Sequence, residues 1–529
     1  MTEQKKGVNK WLVIVISAIV VIALGATAFG VMKSNSPMAM YANAEKDTLT
    51  TKWDRLKEYN KNSFVLQERL MEEAYKADAD MSVNVSAEGT QVIPELQMIQ
   101  GILSTLQLKM DTQVNPETNE MFGGLDIQLQ GTSLASGSIY QNEESTGVKV
   151  PFLYDKYFAL KNNELGDFME RMGEPSQGVT EIPNFVESNK AAFTPEQINE
   201  IVEDYNEALM KHISEDQFTL EEGVTYNEKK YDKVTIEISE ETAQAMVTTL
   251  LEKLKEDERL WEEFDKQMKL QGLNPQSEQE SIKESIDEAL ANVEKITLPN
   301  GIVGEAYIKD DVVEQETWTI EIANAEEKDT FTIVYANDYL KESEDAYTSN
   351  TTLEISNSKG KMTLNLDEKG KPNKDGFHVD YTIGVATEGE AGDFSGDVVL
   401  NADYTETSIN MEFDVNMQEQ EGMESIPVVD GYMNMETLNE EKDTFNNKMD
   451  IGVNVVPNDP AMANSKFNVE FNIDQNYTFT DDLTFPSLEG EEAVQVMEKS
   501  DEELAKIVQE IEKNFETYMQ GMMGGLGAF

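Results

Sequence analysis

The second half of the chain alternates between apolar and polar side chains with a period of two residues. In the segment Ile409–Met417 the odd positions are apolar, and the even positions are Asn, Glu or Asp. Successive side chains of a β-strand point to opposite faces, so this pattern predicts one buried face and one hydrated face. The same alternation surrounds Trp318, Val379 and Val469. Residues 301–488 are therefore predicted to form an antiparallel β region.

Other parts of the chain have apolar residues at helical spacing. Residues 33–78 are predicted to form a helical stalk, and residues 194–300 a helical region that begins with a capping box at Thr194. A second capping box, from Ser500 to Glu503, predicts a C-terminal helix over residues 489–520. The remaining segments are a mixed strand and helix region, 79–193, and a flexible Gly- and Met-rich tail, 521–529.

An uncharged apolar segment, Trp11–Met32, lies near the beginning of the chain. At ~1.5 Å per residue it would extend roughly 33 Å, enough for a transmembrane helix. The lysines within residues 1–10 predict that this end lies in the cytoplasm and that the bulk of the chain is extracytoplasmic. The alternative is a cleaved signal peptide, for which Ala26-Thr27-Ala28 offers a cleavage site. A retained anchor predicts a single-pass protein of the cell membrane.

Together these elements predict an α+β fold. We expect the N-terminal transmembrane helix to be followed by one or more large, curved antiparallel β-sheets, with amphipathic helices packed on one face. Strands flanked by helices occur in both halves of the exported part, so a division into two similar lobes is left open.

Composition and charge narrow the functional classes. The chain has 529 residues, with 42 Lys+Arg against 102 Asp+Glu, a formal net charge of −60. Nucleic acid is not expected as a partner, because phosphate backbones bind basic surfaces. The absence of Cys excludes disulfides and thiol chemistry, and two His residues cannot supply a multi-histidine metal site.

No catalytic, cofactor-binding or metal-binding residues are predicted. His378 falls on the polar face of a strand and His212 near the end of a helix, where both are ordinary solvated or partly buried positions. Adjacent acids such as Asp310-Asp311 occur by chance in so acidic a chain. The sequence has no phosphate-binding loop, nucleophile elbow or zinc-protease motif, so an enzyme is not expected.

Divalent cations are the one kind of ion that this composition could attract. Asp78-Ala79-Asp80 and the turn Asp367–Gly376 are rich in oxygen ligands, but neither has the spacing of an EF-hand. The sequence therefore predicts weak binding of divalent cations to the acidic surface rather than a dedicated site.

Three segments carry a resemblance to known proteins: YANAEKDTLTTKWDRL, KYDKVTIEISEE and TLLEKLKEDERLWEE. Together with the apolar N-terminal segment, they resemble uncharacterised membrane-anchored cell-surface proteins of Bacillus-type Gram-positive bacteria, families of unknown function. More remotely, the long alternating strands with amphipathic helices look like half-barrel lipid and lipoprotein carriers of bacterial envelopes. The first resemblance implies a surface location, and the second implies an apolar ligand.

The leading functional hypothesis is a membrane-tethered, extracytoplasmic, non-enzymatic protein. It would bind a lipid, another apolar ligand or an envelope partner between sheet and helices. The alternatives are a structural or interaction protein with an acidic face, and an envelope polymer hydrolase.

Overall fold

The computed structural model describes residues 36–89, 100–173, 180–190, 195–270, 273–324, 329–343, 345–389, 392–417, 427–457 and 465–526. The dominant feature of the structure is one continuous β-sheet. Its twenty strands are β1 (Tyr75–Glu88), β2 (Leu106–Asn115), β3 (Glu120–Leu129), β4 (Thr132–Gln141), β5 (Ser145–Val150), β6 (Tyr154–Lys161), β7 (Phe218–Tyr226), β8 (Lys229–Ile238), β9 (Ile302–Lys309), β10 (Val312–Asn324), β11 (Asp329–Lys341), β12 (Tyr347–Asn357), β13 (Gly360–Pro372), β14 (Phe377–Gly389), β15 (Phe394–Tyr404), β16 (Ser408–Met417), β17 (Val428–Glu441), β18 (Thr444–Val456), β19 (Lys466–Phe479) and β20 (Ala493–Gln495).

The sheet consists of two antiparallel meanders joined at one long-range pairing. Strands β7 to β19 pair in chain order, and so do β1 to β6. The junction is β1 against β19, in a register that places Tyr75 opposite Phe479 and Glu88 opposite Lys466. The short strand β20 adds to the outer edge of β6 in parallel.

Nine α-helices have both ends among the described residues. They are α1 (Pro37–Tyr59), α2 (Lys61–Glu72), α3 (Leu165–Met172), α4 (Phe185–Lys190), α5 (Pro195–Met210), α6 (Glu240–Glu256), α7 (Glu258–Leu270), α8 (Pro275–Leu290) and α9 (Asp501–Leu526).

Local sequence explains where several helices start. Ser36 caps α1 by accepting a hydrogen bond from the backbone N–H of Ala39 at 3.2 Å, and Pro37 occupies the first turn. Ser239 caps α6 in the same way through the N–H of Thr242. Helix α3 ends at Gly173, whose φ of 83° is a left-handed conformation that costs glycine little.

The main core lies where helices cover strands β7 to β11. Trp318, Ile236 and Ile302 of the sheet are each 2% exposed or less, as are Tyr41 of α1 and Met246 of α6. Such packing leaves no room for a ligand at this interface, since protein interiors are filled to crystal-like density. The helices and strands β7 to β11 therefore form an ordinary packed core at this edge of the sheet.

This architecture corrects the predicted α+β fold class. It also answers the question of two lobes, since the described strands belong to one sheet. The described residues form a predominantly β structure built on a single twenty-stranded sheet. Strands β1 to β6 extend the sheet through a stretch for which a mixture of short strands and helices was predicted, and β7 and β8 extend it into the predicted helical region. Alternation identified the faces of strands, but it carries no information about which strands are neighbours.

The predicted membrane anchor is also corrected. No helix among the described residues is long and apolar enough to cross a membrane. The segment on which the prediction was made, Trp11–Met32, lies outside those residues. A single-pass topology, attachment to a membrane through this segment and a cell-membrane location thus have no support in the structure.

Candidate functional site

One face of the sheet is apolar from β7 through β19 and on through β1 to β3. Residues paired directly across an antiparallel ladder share a face, and the register joins Phe413 to Leu400, and Ile473 to both Met449 and Met81. Following such pairs from strand to strand traces one continuous apolar face. The opposite, polar face carries mainly Asp, Asn, Glu, Lys, Ser and Thr.

Helices α1 and α2 cross the apolar face at one end of the strands, which we call the closed end. Tyr59, the last residue of α1, stacks on Phe377 with ring centroids 5.5 Å apart. Leu66 of α2 is buried in a cluster with Phe445 and Phe479. All three phenylalanines lie at the closed end of their strands, so the two helices shield this end of the apolar face from water.

Arg69 fastens α2 to the sheet. Its guanidinium carbon lies 3.9 Å from the ring centroid of Phe479, a cation–π contact. The same group donates to the carbonyl of Lys442 at 2.8 Å and to the carboxylates of Glu73 and Asp443. A planar guanidinium can stack and donate at once, which an ammonium cannot do.

We call the other end of the strands the open end; on β1 it is the end at Glu88. Toward the open end, the apolar face is exposed to solvent. Leu364, Ile383, Met417 and Phe471 are 39%, 47%, 48% and 41% exposed. These residues come from four different strands between β13 and β19. Contiguous apolar surface of this extent is uncommon on soluble domains and marks a site of interaction. We call the apolar face of β13–β19 and β1–β3, from mid-strand to the open end, the open stretch.

The open stretch is almost free of charge. Among the residues whose register places them on the apolar face of β12–β19 and β1–β3, Glu368 is the one charged residue. Strands lie about 4.8 Å apart, so this surface is on the order of 50 Å wide along the sheet. It therefore offers extensive apolar contact and few hydrogen-bonding groups.

The buried core contains a pair of acids that the sequence analysis did not single out. Glu45 of α1 is 5% exposed and Glu316 of β10 is 2% exposed. Glu316 accepts hydrogen bonds from the indole N–H of Trp318 at 3.2 Å and from the hydroxyl of Tyr41 at 3.4 Å. Glu45 and Tyr335 also bond to it. Two carboxyl groups can bond to each other only through a proton, so the pair is protonated at least once.

Burial raises the pKa of Glu316, and the hydrogen bonds from Trp318, Glu45, Tyr335 and Tyr41 offset only part of this effect. A sequence signal for this position existed. Glu316 has the same parity as Trp318 and Ile320, so alternation alone places an acid on the buried face. The pair joins α1 to β10 within the packed core, and its position fits a role in holding the helix on the sheet.

Both histidines occupy structural positions. His378 lies on the polar face of β14, where its Nδ1 is 2.9 Å from Asp403 and its Nε2 is 2.8 Å from Asp380. Burial lowers the pKa of His378, but the two carboxylates together raise it above its ordinary value. His212 follows α5, and its Nε2 lies 2.8 Å from the hydroxyl of Thr249. The structure does not bring the two histidines into one cluster.

The oxygen-rich segments do not converge on a cation site. Asp78 and Asp80 lie on the polar face of β1, and Asp80 pairs with Lys109 at 3.7 Å. In the turn before β14, Asn373 bonds to Asp403 at 2.8 Å. Within the described residues, no group of three or more His, Asp or Glu side chains is arranged to hold a metal ion. The predicted weak cation binding is thus left to the diffuse charge of the surface.

Two shallow cavities lie outside the open stretch. One, of about 340 Å³, is on the polar face among Asp80, Lys109, Lys448 and Asp474. The other, of about 300 Å³, lies at the closed end beside Tyr226 and contains mixed polar and aromatic side chains. In the first cavity, acidic and basic side chains from neighbouring strands lie across from each other, an arrangement that stabilises paired strands.

No protein-family model and no curated protein matches the chain. Among solved structures, OpdQ of Pseudomonas aeruginosa is similar at 6% identity and a TM-score of 0.19, over 77% of this chain and 97% of that one. OccK2 (OpdF) of the same organism, in complex with glucuronate, gives 6% and 0.20, over 77% and 98%. OpdK with vanillate gives 6% and 0.19, over 76% and 98%.

Scores of this size are well below those of chains that share a fold, so neither fold nor function is drawn from these structures. The resemblance to uncharacterised Bacillus-type surface proteins stays a prediction.

Proposed function

We propose that this protein is a non-enzymatic binding protein that holds the acyl chains of a lipid-like ligand on the open stretch. The observation that carries the proposal is the apolar face, which continues from strand to strand. The described helices bury it over β7–β11 and at the closed end. Burial of apolar surface stabilises by roughly 25 cal/mol per Å². Covering this stretch with hydrocarbon is therefore strongly favourable.

The chemistry of the surface favours hydrocarbon over a protein partner. Protein interfaces are typically about 56–58% non-polar and contain about one hydrogen bond per 100–200 Å². The open stretch has few groups with which to satisfy such a partner. A second copy of the chain is disfavoured as well, because each copy has a net charge of −60. Acyl chains need no hydrogen bonds and match the face best.

The non-enzymatic part of the proposal is supported by the placement of the unusual acids. Glu316, whose pKa burial raises, lies in the packed core beneath α1 and not on the open stretch. Adjacent acids predicted to be incidental include Asp310-Asp311, which form the β9–β10 turn. At the start of α9, Ser500 caps the helix and the Glu503 carboxylate accepts a hydrogen bond from the backbone N–H of Ser500. These positions serve the local backbone.

A matched pair of variants tests the proposal. Phe471 is exposed on the open stretch, and its neighbour Asn472 is exposed on the polar face. Phe471→Asp should weaken binding of the uncharged dye Nile red about tenfold, because it places a carboxylate in the apolar surface. Asn472→Asp adds the same charge to the other face and should leave binding unchanged. Equal effects of the two variants, or no dye binding by the unaltered protein, would rule the proposal out.

An interaction protein is the second candidate, and α9 favours it. Val508 and Phe515 lie on one side of this helix and are 51% and 48% exposed. The helix is held at Asn514, which donates to the carbonyl of Leu153 at 2.8 Å, and at Tyr518, which packs on Phe152. Loss of a partner from pull-downs with Val508→Asp, with dye binding intact, would support this second role.

A further inference from the structure

We infer that the ligand of the open stretch carries no negative charge, so that an uncharged lipid such as a diacylglycerol is bound in preference to an anionic one. This inference rests on the proposed function and specifies its ligand. It follows from the distribution of charge on the apolar face and around the open end.

Among the described residues, the open stretch contributes no cation with which to pair an anionic head group. No Lys or Arg among the described residues of β12–β19 and β1–β3 falls on this face within the open stretch, and the one charged residue of these strands that does fall on the apolar face is the acid Glu368. Arg and Lys are the side chains that recognise phosphate and carboxylate. A site built for an anionic lipid would need at least one of them.

The shape of the site directs the head group toward the open end. At the closed end α1 and α2 cover the apolar face through Tyr59, Leu66 and Arg69. Acyl chains lying along the strands can therefore approach the closed end, while a polar head group finds water at the open end. The charges that matter for the head group are those around the open end.

Those charges are predominantly acidic, although Lys361 of β13 and Lys466 of β19 also lie at the open end. The open-end halves of β14–β17 carry carboxylates and, among their described residues, no Lys or Arg. Two of the carboxylates, Asp397 and Asp430, accept hydrogen bonds from the neutral amides of Asn416 and Asn454. Charges interact over a Debye length of about 8 Å at physiological salt, so this local group governs the head group more than the distant net charge does. The carboxylates are Glu388, Asp397, Asp414 and Asp430 on the polar face of the strands and Asp393 just before β15, and Glu388 lies directly opposite Lys361 of β13.

The test is a transfer assay with two lipids that have the same acyl chains and differ in the head group, which is a neutral hydroxyl in one and an anionic phosphate in the other. The full-length protein is mixed with neutral phosphatidylcholine vesicles that contain pyrene-labelled diacylglycerol or pyrene-labelled phosphatidic acid with the same acyl chains. We expect at least about tenfold more diacylglycerol than phosphatidic acid on the protein at low salt, because several carboxylates repel the phosphate. The preference should narrow as NaCl is added.

Variants then place the effect on the apolar face. Ile383→Lys puts a cation into the open stretch and should narrow the preference for diacylglycerol at least threefold. Thr382→Lys, on the adjacent position of the same strand, adds the same charge to the polar face, farther from a lipid on the open stretch, and should narrow the preference less than Ile383→Lys does. Ile383 is already 47% exposed, so the substitution is tolerable, and circular dichroism checks the fold of both variants.

The outcomes separate the inference from the proposed function. Transfer of neither lipid would overturn the proposed function, and the inference with it. Equal transfer of both lipids, or a preference for phosphatidic acid, would overturn the inference while leaving a lipid-binding function in place. The salt dependence uses the unaltered protein, so the test does not depend on the folding of Ile383→Lys.

Discussion

At the scale of single residues, the strand Ser408–Met417 shows what an alternating sequence determines. Ile409, Met411, Phe413 and Val415 are half-buried, whereas their neighbours Asn410, Glu412, Asp414 and Asn416 are exposed. The face assignment from sequence is confirmed. However, the apolar side chains are less buried than a closed core requires, because the helices do not extend over this part of the sheet.

The first prediction concerns Phe413. Its ring covers Gly431 on the neighbouring strand, where a Cβ would lie 2.5 Å from the ring Cζ. Truncation of a fully buried Phe costs about 3–5 kcal/mol, so Phe413→Ala at this half-buried position should cost about 2 kcal/mol of unfolding free energy. Glu412→Ala on the polar face should change it by less than about 0.5 kcal/mol. Denaturant unfolding measures both, and equal effects would show the face assignment to be wrong.

The second prediction concerns the buried acid Glu316. Its pKa is raised in the folded protein above the ordinary 4.5, so the stability it contributes is fully present below that pH. That contribution is lost as the pH rises through the folded pKa. Glu316→Gln keeps the side chain's shape and cannot ionise, so its unfolding free energy relative to the unaltered protein should increase from pH 4 to pH 9. A difference that is constant with pH would contradict the raised pKa.

At the scale of elements, sequence patterns located many strands and helices but not the pairing that unites them. Alternation around Trp318, Val379 and Val469 correctly indicated strands β10, β14 and β19. The register of β1 against β19 joins Tyr75 to Phe479, residues that are far apart in the chain. Period two assigns a face to each residue and leaves the neighbouring strand open. For the same reason, the sequence could not show how far the helices would cover the apolar face.

A third prediction concerns the attachment of α2 at the closed end. Arg69→Lys removes the planar group that stacks on Phe479 and bonds to Lys442 and Asp443. We expect amide hydrogen exchange within α2 to become at least tenfold faster, because local opening no longer has to break these contacts. Glu68→Ala, at an exposed position of the same helix, is the control and should leave exchange unchanged. Unaltered exchange in Arg69→Lys would show that apolar contacts alone hold the helix.

At the scale of the whole molecule, charge and apolar surface are separated onto opposite faces of one sheet. The polar face carries much of an excess of acids that gives a net charge of −60. Charged residues on one face keep such a protein dispersed, although the other face exposes apolar side chains. The sequence already contained both properties, but only the register reveals that the apolar face is continuous.

The fourth prediction follows from the net charge. Repulsion among carboxylates destabilises the compact state, and salt screens it, so the melting temperature should rise as NaCl is added from low ionic strength. The diffuse acidic surface should also bind divalent cations weakly, so we expect millimolar Ca²⁺ or Mg²⁺ to raise the melting temperature further. A rise with Ca²⁺ no larger than that with NaCl at matched ionic strength would contradict this weak binding.

The central claim is that acyl chains bind along the open stretch, and photo-crosslinking tests it most directly. A diacylglycerol with a diazirine in one acyl chain would be bound to the full-length protein, irradiated, and located by peptide mass spectrometry. The account predicts crosslinks on the apolar face of β13–β19, at residues such as Leu364, Ile383, Met417 and Phe471, with competition by unlabelled lipid. Crosslinks confined to α9 or to the polar face, or labelling that unlabelled lipid does not reduce, would contradict it.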